Sequence, residues 1–231
     1  MSKSGYAIWS TVGKKFLLAL TGLSLVGFIC VHLVGNLLLY VGADAFNTYA
    51  HKLMSMGPLL YVAELILAAL FLAHMFTAIV TTLNNWKSRP DRYAVNASQG
   101  SPSQMTVSSK TMIWTGLVII GFTVFHLVTF KYGAGVEEGY VAYLDGEPVR
   151  DLYRLVQELF QDPFYSGFYV FVMILLGFHL RHGFWSAFQS LGLNHPRYTP
   201  MIHTVGIIAA VVLGVGFLVI PIWFYFTGGA A

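Results

Sequence analysis

Five long apolar runs separated by polar links dominate the pattern of this chain. They cover about 15–40, 58–83, 110–131, 164–188 and 201–226. Each reaches or approaches the ~20 residues a helix needs to cross bilayer hydrocarbon. The pattern predicts an all-α integral membrane protein, with residues 1–231 forming a single domain of five transmembrane helices. Residues 42–57 make a polar link with Asp44, Phe46, Asn47, His51 and Lys52. Residues 84–109 carry Lys87, Arg89 and Arg92, then a Ser/Gln/Gly/Pro tract without hydrophobic period, an irregular connection. The longest link, 132–163, is acidic. Within it Val149, Leu152, Leu155, Val156 and Leu159 recur at helical spacing, which predicts a short surface helix over about 149–160. Residues 192–200 form a compact turn, and no internal repeat is obvious.

Composition agrees with a membrane reading. Hydrophobic residues make up 56% and charged residues 10% of the 231, against about 25% charged in soluble domains. The mean hydropathy is +0.66. The single cysteine, Cys30, allows no internal disulfide and no thiolate cluster, and no Cys-x-x-Cys-His is present to attach a haem covalently. The first run is too long for a signal-peptide core and lacks a small-residue cleavage box, so it reads as a retained span. The net charge of +3 is scattered around segment ends, which argues against a nucleic-acid partner.

Charge sets the expected orientation. With the N-terminus in the cytoplasm, the inner side collects Lys3, Lys14, Lys15, Lys87, Arg89, Arg92, Lys110, Arg181 and Arg197, with Asp91 as its only acid. The outer side keeps Lys52, Lys131, Arg150 and Arg154 among many acids. That is a positive-inside distribution, and five spans then put the C-terminus outside.

Four of the runs contain interior histidines, and ionisable groups at that depth are costly unless they have a function. These are His32, His74 and His126, and in the fourth run the sequence Gly177-Phe178-His179-Leu180-Arg181-His182-Gly183-Phe184-Trp185. At 1.5 Å per residue, His32 and His126 stand roughly 25 Å from the inner edge, and His74 and His179 roughly 15 Å. The depths therefore pair His32 with His126 and His74 with His179, each pair on two different helices. Two neutral imidazoles at one level are what bis-histidine haem ligation requires. A lone intramembrane histidine has a simpler reading, a hydrogen bond to a serine or a backbone carbonyl; four at paired depths are harder to explain so. A compact four-histidine zinc or copper centre does not suit layers about 10 Å apart.

Other ionisable residues have two readings each. His182 competes with His179 as a ligand, or, lying closer to the inner surface, bonds a haem propionate or a quinone oxygen. Arg181 pairs with a propionate or simply anchors the helix at the interface. Glu64, inside the second run, serves proton transfer with a quinone or a structural partner. His51, His195 and His203 read as surface or interface residues. Glycines 22, 27 and 35 allow either close helix approach or room for a flat cofactor. Trp9, Trp86, Trp114, Trp185 and Trp223 mostly mark segment ends, as an aromatic belt would.

With these spans and contexts the chain resembles the cytochrome b subunit of succinate:menaquinone oxidoreductases, the single-chain dihaem (b558-type) family. The likeness covers nearly the whole chain. It is carried by His32 with Gly35-Asn36, Phe46-Asn47 and Tyr49, His74, His126, Phe178-His179 with Gly183-Phe184-Trp185, and Gly192-Leu193-Asn194-His195-Pro196. The resemblance implies two noncovalent haems b, one held by His32 and His126 (distal) and one by His74 and His179 (proximal). It selects His179 because the family's fourth-span ligand stands four residues before a glycine, here Gly183. It implies a prokaryotic cytoplasmic (inner) membrane location and membrane lipid around the chain. It further implies menaquinone as substrate, a flavoprotein and an iron–sulfur subunit on the cytoplasmic side, FAD and iron–sulfur clusters only in those partners, and a possible oligomer of the complex. Some relatives carry a glutamate for proton transfer two residues before this ligand; Gly177 stands there, so that route is missing. The region near Glu64, Asn36 and Asn47 is the expected quinone site.

The chain by itself has no dicarboxylate site, flavin fold or iron–sulfur cysteines, so it is expected to carry only the quinone half-reaction of a respiratory complex II. Two other readings are a haem b subunit serving another respiratory dehydrogenase, such as a formate dehydrogenase or a hydrogenase, and a haem-free anchor or transporter. A transporter would favour broken midplane helices or paired repeats. The partner subunits, and the presence or absence of haem colour, separate these readings.

Overall fold

In a computed structural model the chain is described over residues 10–88 and 107–229. Lys3, Trp9, Arg89, Asp91 and Arg92 lie outside the described residues, as does the side chain of Lys110. The elements in chain order are α1 (Thr11–Asn36), continued by a 3-10 turn (Leu37–Tyr40), α2 (Ala43–Ser55), α3 (Pro58–Lys87) and α4 (Val107–His126), continued by a π-helical turn (Leu127–Lys131). A hairpin of β1 (Val141–Leu144) and β2 (Glu147–Arg150) follows, then α5 (Leu152–Gln161), α6 (Pro163–Ser190) and α7 (Thr199–Thr227).

Five helical stretches are long and apolar enough to cross a membrane: Thr11–Tyr40, Pro58–Lys87, Thr111–Lys131, Pro163–Ser190 and Thr199–Thr227. Their large side chains face outwards in number, among them Leu59, Leu65, Phe76, Ile208 and Phe226. Apolar surface on that scale is stable only against lipid, where each helix also satisfies its own backbone. The protein is a largely helical, multi-pass membrane protein.

Local chemistry starts and stops these helices. Ser10 Oγ accepts from Gly13 N at 3.0 Å and opens α1. Asp162 accepts from the N–H groups of Phe164 and Tyr165 at 2.8 and 3.0 Å, with Pro163 as the first residue of α6. Pro58 opens α3 directly after Gly57, whose φ of 55° ends the preceding helix.

Two elements differ from the expectation. The polar link 42–57 contains a helix, α2, with Phe46 and Asn47 buried. The loop 132–163 contains the hairpin, turned by Asp145-Gly146 with φ of 52° and 85°. Those signs fit a type I′ turn, which Asp-Gly favours. The amphipathic helix expected over 149–160 is α5, begun by Asp151, which accepts from Arg154 N at 3.0 Å.

Close contacts gather the chain into two compact units. The first comprises Met1–Val26, Leu67–Leu117 and Phe178–Ala210; the second comprises Gly27–Ile66, Val118–Gly177 and Val211–Ala231. The second has a core of Leu39, Phe46, Tyr153, Phe160, Tyr169 and Phe224. Asn47, 2% exposed, ties α2 to α5 there. It donates to Asp151 Oδ1 at 2.8 Å and accepts from Tyr153 N at 3.0 Å. Asn47→Ala leaves the buried Tyr153 N–H without its acceptor, so we expect a loss of about 2 kcal/mol, within the usual cost of such a group. A lowered midpoint in thermal unfolding of the detergent-solubilised protein checks this; an unchanged midpoint would mean the tie contributes nothing.

Candidate metal centres

Each unit contains one pair of the four interior histidines. In the second unit, His32 on α1 and His126 at the end of α4 face one another with ring centroids 5.8 Å apart. One metal held between two imidazoles, at about 2 Å per metal–nitrogen bond, needs a separation of this order. Aromatic rings surround the pair. Phe28 stacks on His32 at 5.5 Å and Phe122 on His126 at 5.6 Å. Tyr169, almost wholly buried, brings its hydroxyl to 3.2 Å from His126 Nδ1. Directly after His126 the helix widens into its π-helical turn, a feature frequent at functional sites.

In the first unit, His74 of α3 lies against α1 and His179 of α6 against α4. Thr21 Oγ1 is 3.3 Å from His74 Nδ1, and Thr115 Oγ1 is 3.1 Å from His179 Nδ1. Both threonine hydroxyls already approach helix carbonyls, Thr21 that of Leu17 at 2.8 Å and Thr115 that of Met112 at 3.0 Å. Each hydroxyl has one proton, so its oxygen is left as the acceptor and the imidazole Nδ1–H donates. In that arrangement Nε2 is the nitrogen that would ligate a metal at His74 and His179, and His74 also has a hydrogen bond to the Leu18 backbone. His74 and His182 are the histidines within electrostatic range of His179. The threonine contact is made by His179 and not by His182.

A glycine follows each of these threonines. A Cβ on Gly22 would stand 3.0 Å from His74 Cε1, and one on Gly116 3.5 Å from His179 Cε1. Each histidine therefore rests on a bare stretch of the neighbouring helix. Gly35 likewise lets Tyr49 approach, since a Cβ there would meet its hydroxyl at 2.6 Å, whereas Cβ atoms at Gly27 or Gly121 would meet nothing within 4 Å.

These contacts expose a repeat. Thr21-Gly22-Leu23, Gly27-Phe28 and His32-Leu33-Val34 match Thr115-Gly116-Leu117, Gly121-Phe122 and His126-Leu127-Val128 at identical spacing. In each copy the first part holds a histidine from another helix, and the last part supplies a histidine of its own. Thr21, Thr115, Phe28, Phe122 and Tyr169 escape a search limited to ionisable groups in spans. Aligning the first and third spans with each other finds the first four; nothing in the sequence marks Tyr169.

The remaining candidates scatter. Arg181 is exposed and lies two positions after His179, about 200° further round α6. It neighbours His203 of α7 instead. Glu64 forms an ion pair with Lys131. Asn36 donates to the backbone carbonyl of His32 at 2.8 Å. Asn47 is used in the tie to α5. Gly177 sits where α6 and α7 approach closely: a Cβ on Gly214 would stand 3.4 Å from its Cα.

The donor chemistry fits haem. Among the described residues no three or more His, Cys, Asp or Glu side chains gather in one place. Structural zinc sites take four protein ligands and catalytic ones three, whereas a porphyrin supplies four nitrogens and asks the protein only for axial ligands. No family model, curated protein or solved structure matches this chain.

Proposed function

We propose that the chain is the membrane-anchoring dihaem cytochrome b of a succinate:menaquinone oxidoreductase in a prokaryotic inner membrane. It passes electrons between an iron–sulfur partner subunit and menaquinone. The observation that supports this best is the facing pair of His32 and His126, with His74 and His179 in the other unit each set against a threonine of a neighbouring helix. A haem b bound at each pair supplies a one-electron couple whose potential responds to its axial ligands and their hydrogen bonds. His32, His126, His74 and His179 hold the iron through neutral imidazoles. Thr21 and Thr115 orient His74 and His179, and Phe28 and Phe122 keep water from His32 and His126.

In this reading His182, beside His179, bonds a propionate or a quinone oxygen. Glu64, in its ion pair with Lys131, marks with Asn36 the region where menaquinone exchanges protons. The N-terminus faces the cytoplasm, where the flavoprotein and iron–sulfur subunits dock and where FAD and the iron–sulfur clusters reside. Orientation rests on the distribution of lysine and arginine.

A reduced-minus-oxidised optical spectrum with a pyridine haemochrome assay tests the proposal. About two noncovalent haems b per chain are expected, together with a flavoprotein and an iron–sulfur protein after mild detergent extraction. A colourless chain would overturn the cytochrome reading. A haem-containing chain bound to other partners would keep the cytochrome and reject the succinate assignment.

A further inference from the structure

Arg181 is an exposed cation inside a membrane-spanning helix. It lies about 13 Å from the end of α6 at Ser190. The ion pairs among the described residues are Lys131 with Glu64 and Arg154 with Glu158, so no carboxylate there pairs with Arg181. A guanidinium at such a depth is retained where it has a partner or a function. Its neighbour is on α7: His203, also exposed, lies within charge-interaction range. The His203 ring stacks on Trp185 at 3.7 Å, nearly parallel at 27°. Trp185 stands one turn after Arg181, on the same face of α6. The two helices are in close contact here, since a Cβ on Gly206 would lie 2.9 Å from Phe184.

The surroundings are graded along the membrane normal. Trp185 and His203 lie nearest the helix ends, as interfacial residues do. Deeper on the same faces are Phe178, one turn below Arg181 on α6, and Ile207, one turn below His203 on α7, 45% and 43% exposed. His203 near the helix end, and the guanidinium that the long Arg181 side chain can carry toward the headgroups, thus sit above an exposed apolar strip. That order matches a phospholipid, phosphate above and acyl chain below, and basic sites between membrane helices bind anionic headgroups.

We propose that Arg181, His203 and Trp185 form a binding site for the headgroup of an anionic phospholipid. The planar guanidinium reaches up on its aliphatic stem and donates to two phosphate oxygens. His203 donates to a third, its ring held by the stack on Trp185. This places Arg181 with lipid and not with a propionate of the pair on the far face of α6. The inference is independent of whether the chain carries haem.

Native mass spectrometry of the delipidated full chain tests this, with phosphatidylglycerol and phosphatidylcholine of identical acyl chains as probes. The unaltered protein should prefer phosphatidylglycerol, and Arg181→Gln should reduce that preference about fivefold, the factor for one basic residue at the surface. His203→Asn should weaken the preference less, and circular dichroism should show both variants still helical. An unchanged preference in Arg181→Gln would overturn the proposal. So would displacement of the lipid by millimolar inorganic phosphate, which would indicate a site for a free anion.

Discussion

On the proposed dihaem reading, replacing His179 with alanine is expected to remove one of two haems, halving the pyridine haemochrome yield, while His182→Ala keeps both. The asymmetry follows from Thr115. Its hydroxyl stands 3.1 Å from His179 Nδ1, and that contact turns Nε2 towards a metal. His182 has no such partner in the described contacts. Pairing makes a stronger test, because two residues holding one iron act as a unit and their losses do not add. His74→Ala combined with His179→Ala should therefore lose one haem, no more than either single change. His32→Ala combined with His74→Ala should lose both. The opposite result, with His74 and His179 together costing two haems, would break the assigned pairs. If His182→Ala loses a haem while His179→Ala keeps two, the ligand assignment is wrong.

The sequence discloses some levels of this structure and not others. The spans are legible because hydrocarbon thickness imposes a length that few other constraints imitate, and their ends fall at signals such as Pro58 and Asp162-Pro163. The four interior histidines are legible for a similar reason: an ionisable group in an apolar run stands out, and rise per residue converts its position to depth. Helix α2 is not legible as a helix. Phe46 and Asn47 are its buried residues, so packing decides what periodicity barely indicates. The hairpin turns at Asp145-Gly146, but its strands are four residues each, too short for alternation to register. The threonine cradles are hidden by chemistry, since a threonine in an apolar helix ordinarily bonds its own carbonyl four residues back. Thr21 and Thr115 do that, and use the oxygen that remains for a histidine of another helix. Only the equal spacing of Thr-Gly-Leu and His-Leu-Val in two spans hints at the second role.

Those cradles lead to the second large expected effect. Thr21→Val and Thr115→Val remove one oxygen each while nearly preserving shape, so the helices should assemble normally. The imidazole Nδ1–H then loses its threonine acceptor. A hydrogen bond at that position makes the ligating nitrogen more basic, which favours the higher oxidation state of the metal. Loss of the bond should therefore raise the midpoint potential of the haem held by His74 and His179 and weaken its retention about 10- to 100-fold, the usual range for such partners. The other haem should titrate unchanged, because the rings of His32 and His126 have different neighbours, the Asn36 amide and the Tyr169 hydroxyl. Thr→Ser at either position restores the oxygen and should restore the potential. A packing role alone predicts a different result: valine would then be tolerated with no shift in potential, and serine, which lacks the methyl group, would be the more damaging change. Spectroelectrochemical titration of the four single variants distinguishes the two outcomes. A parallel shift in Thr21→Val and Thr115→Val would also show that the two copies of the repeat act on the same iron, the pairing proposed for His74 and His179.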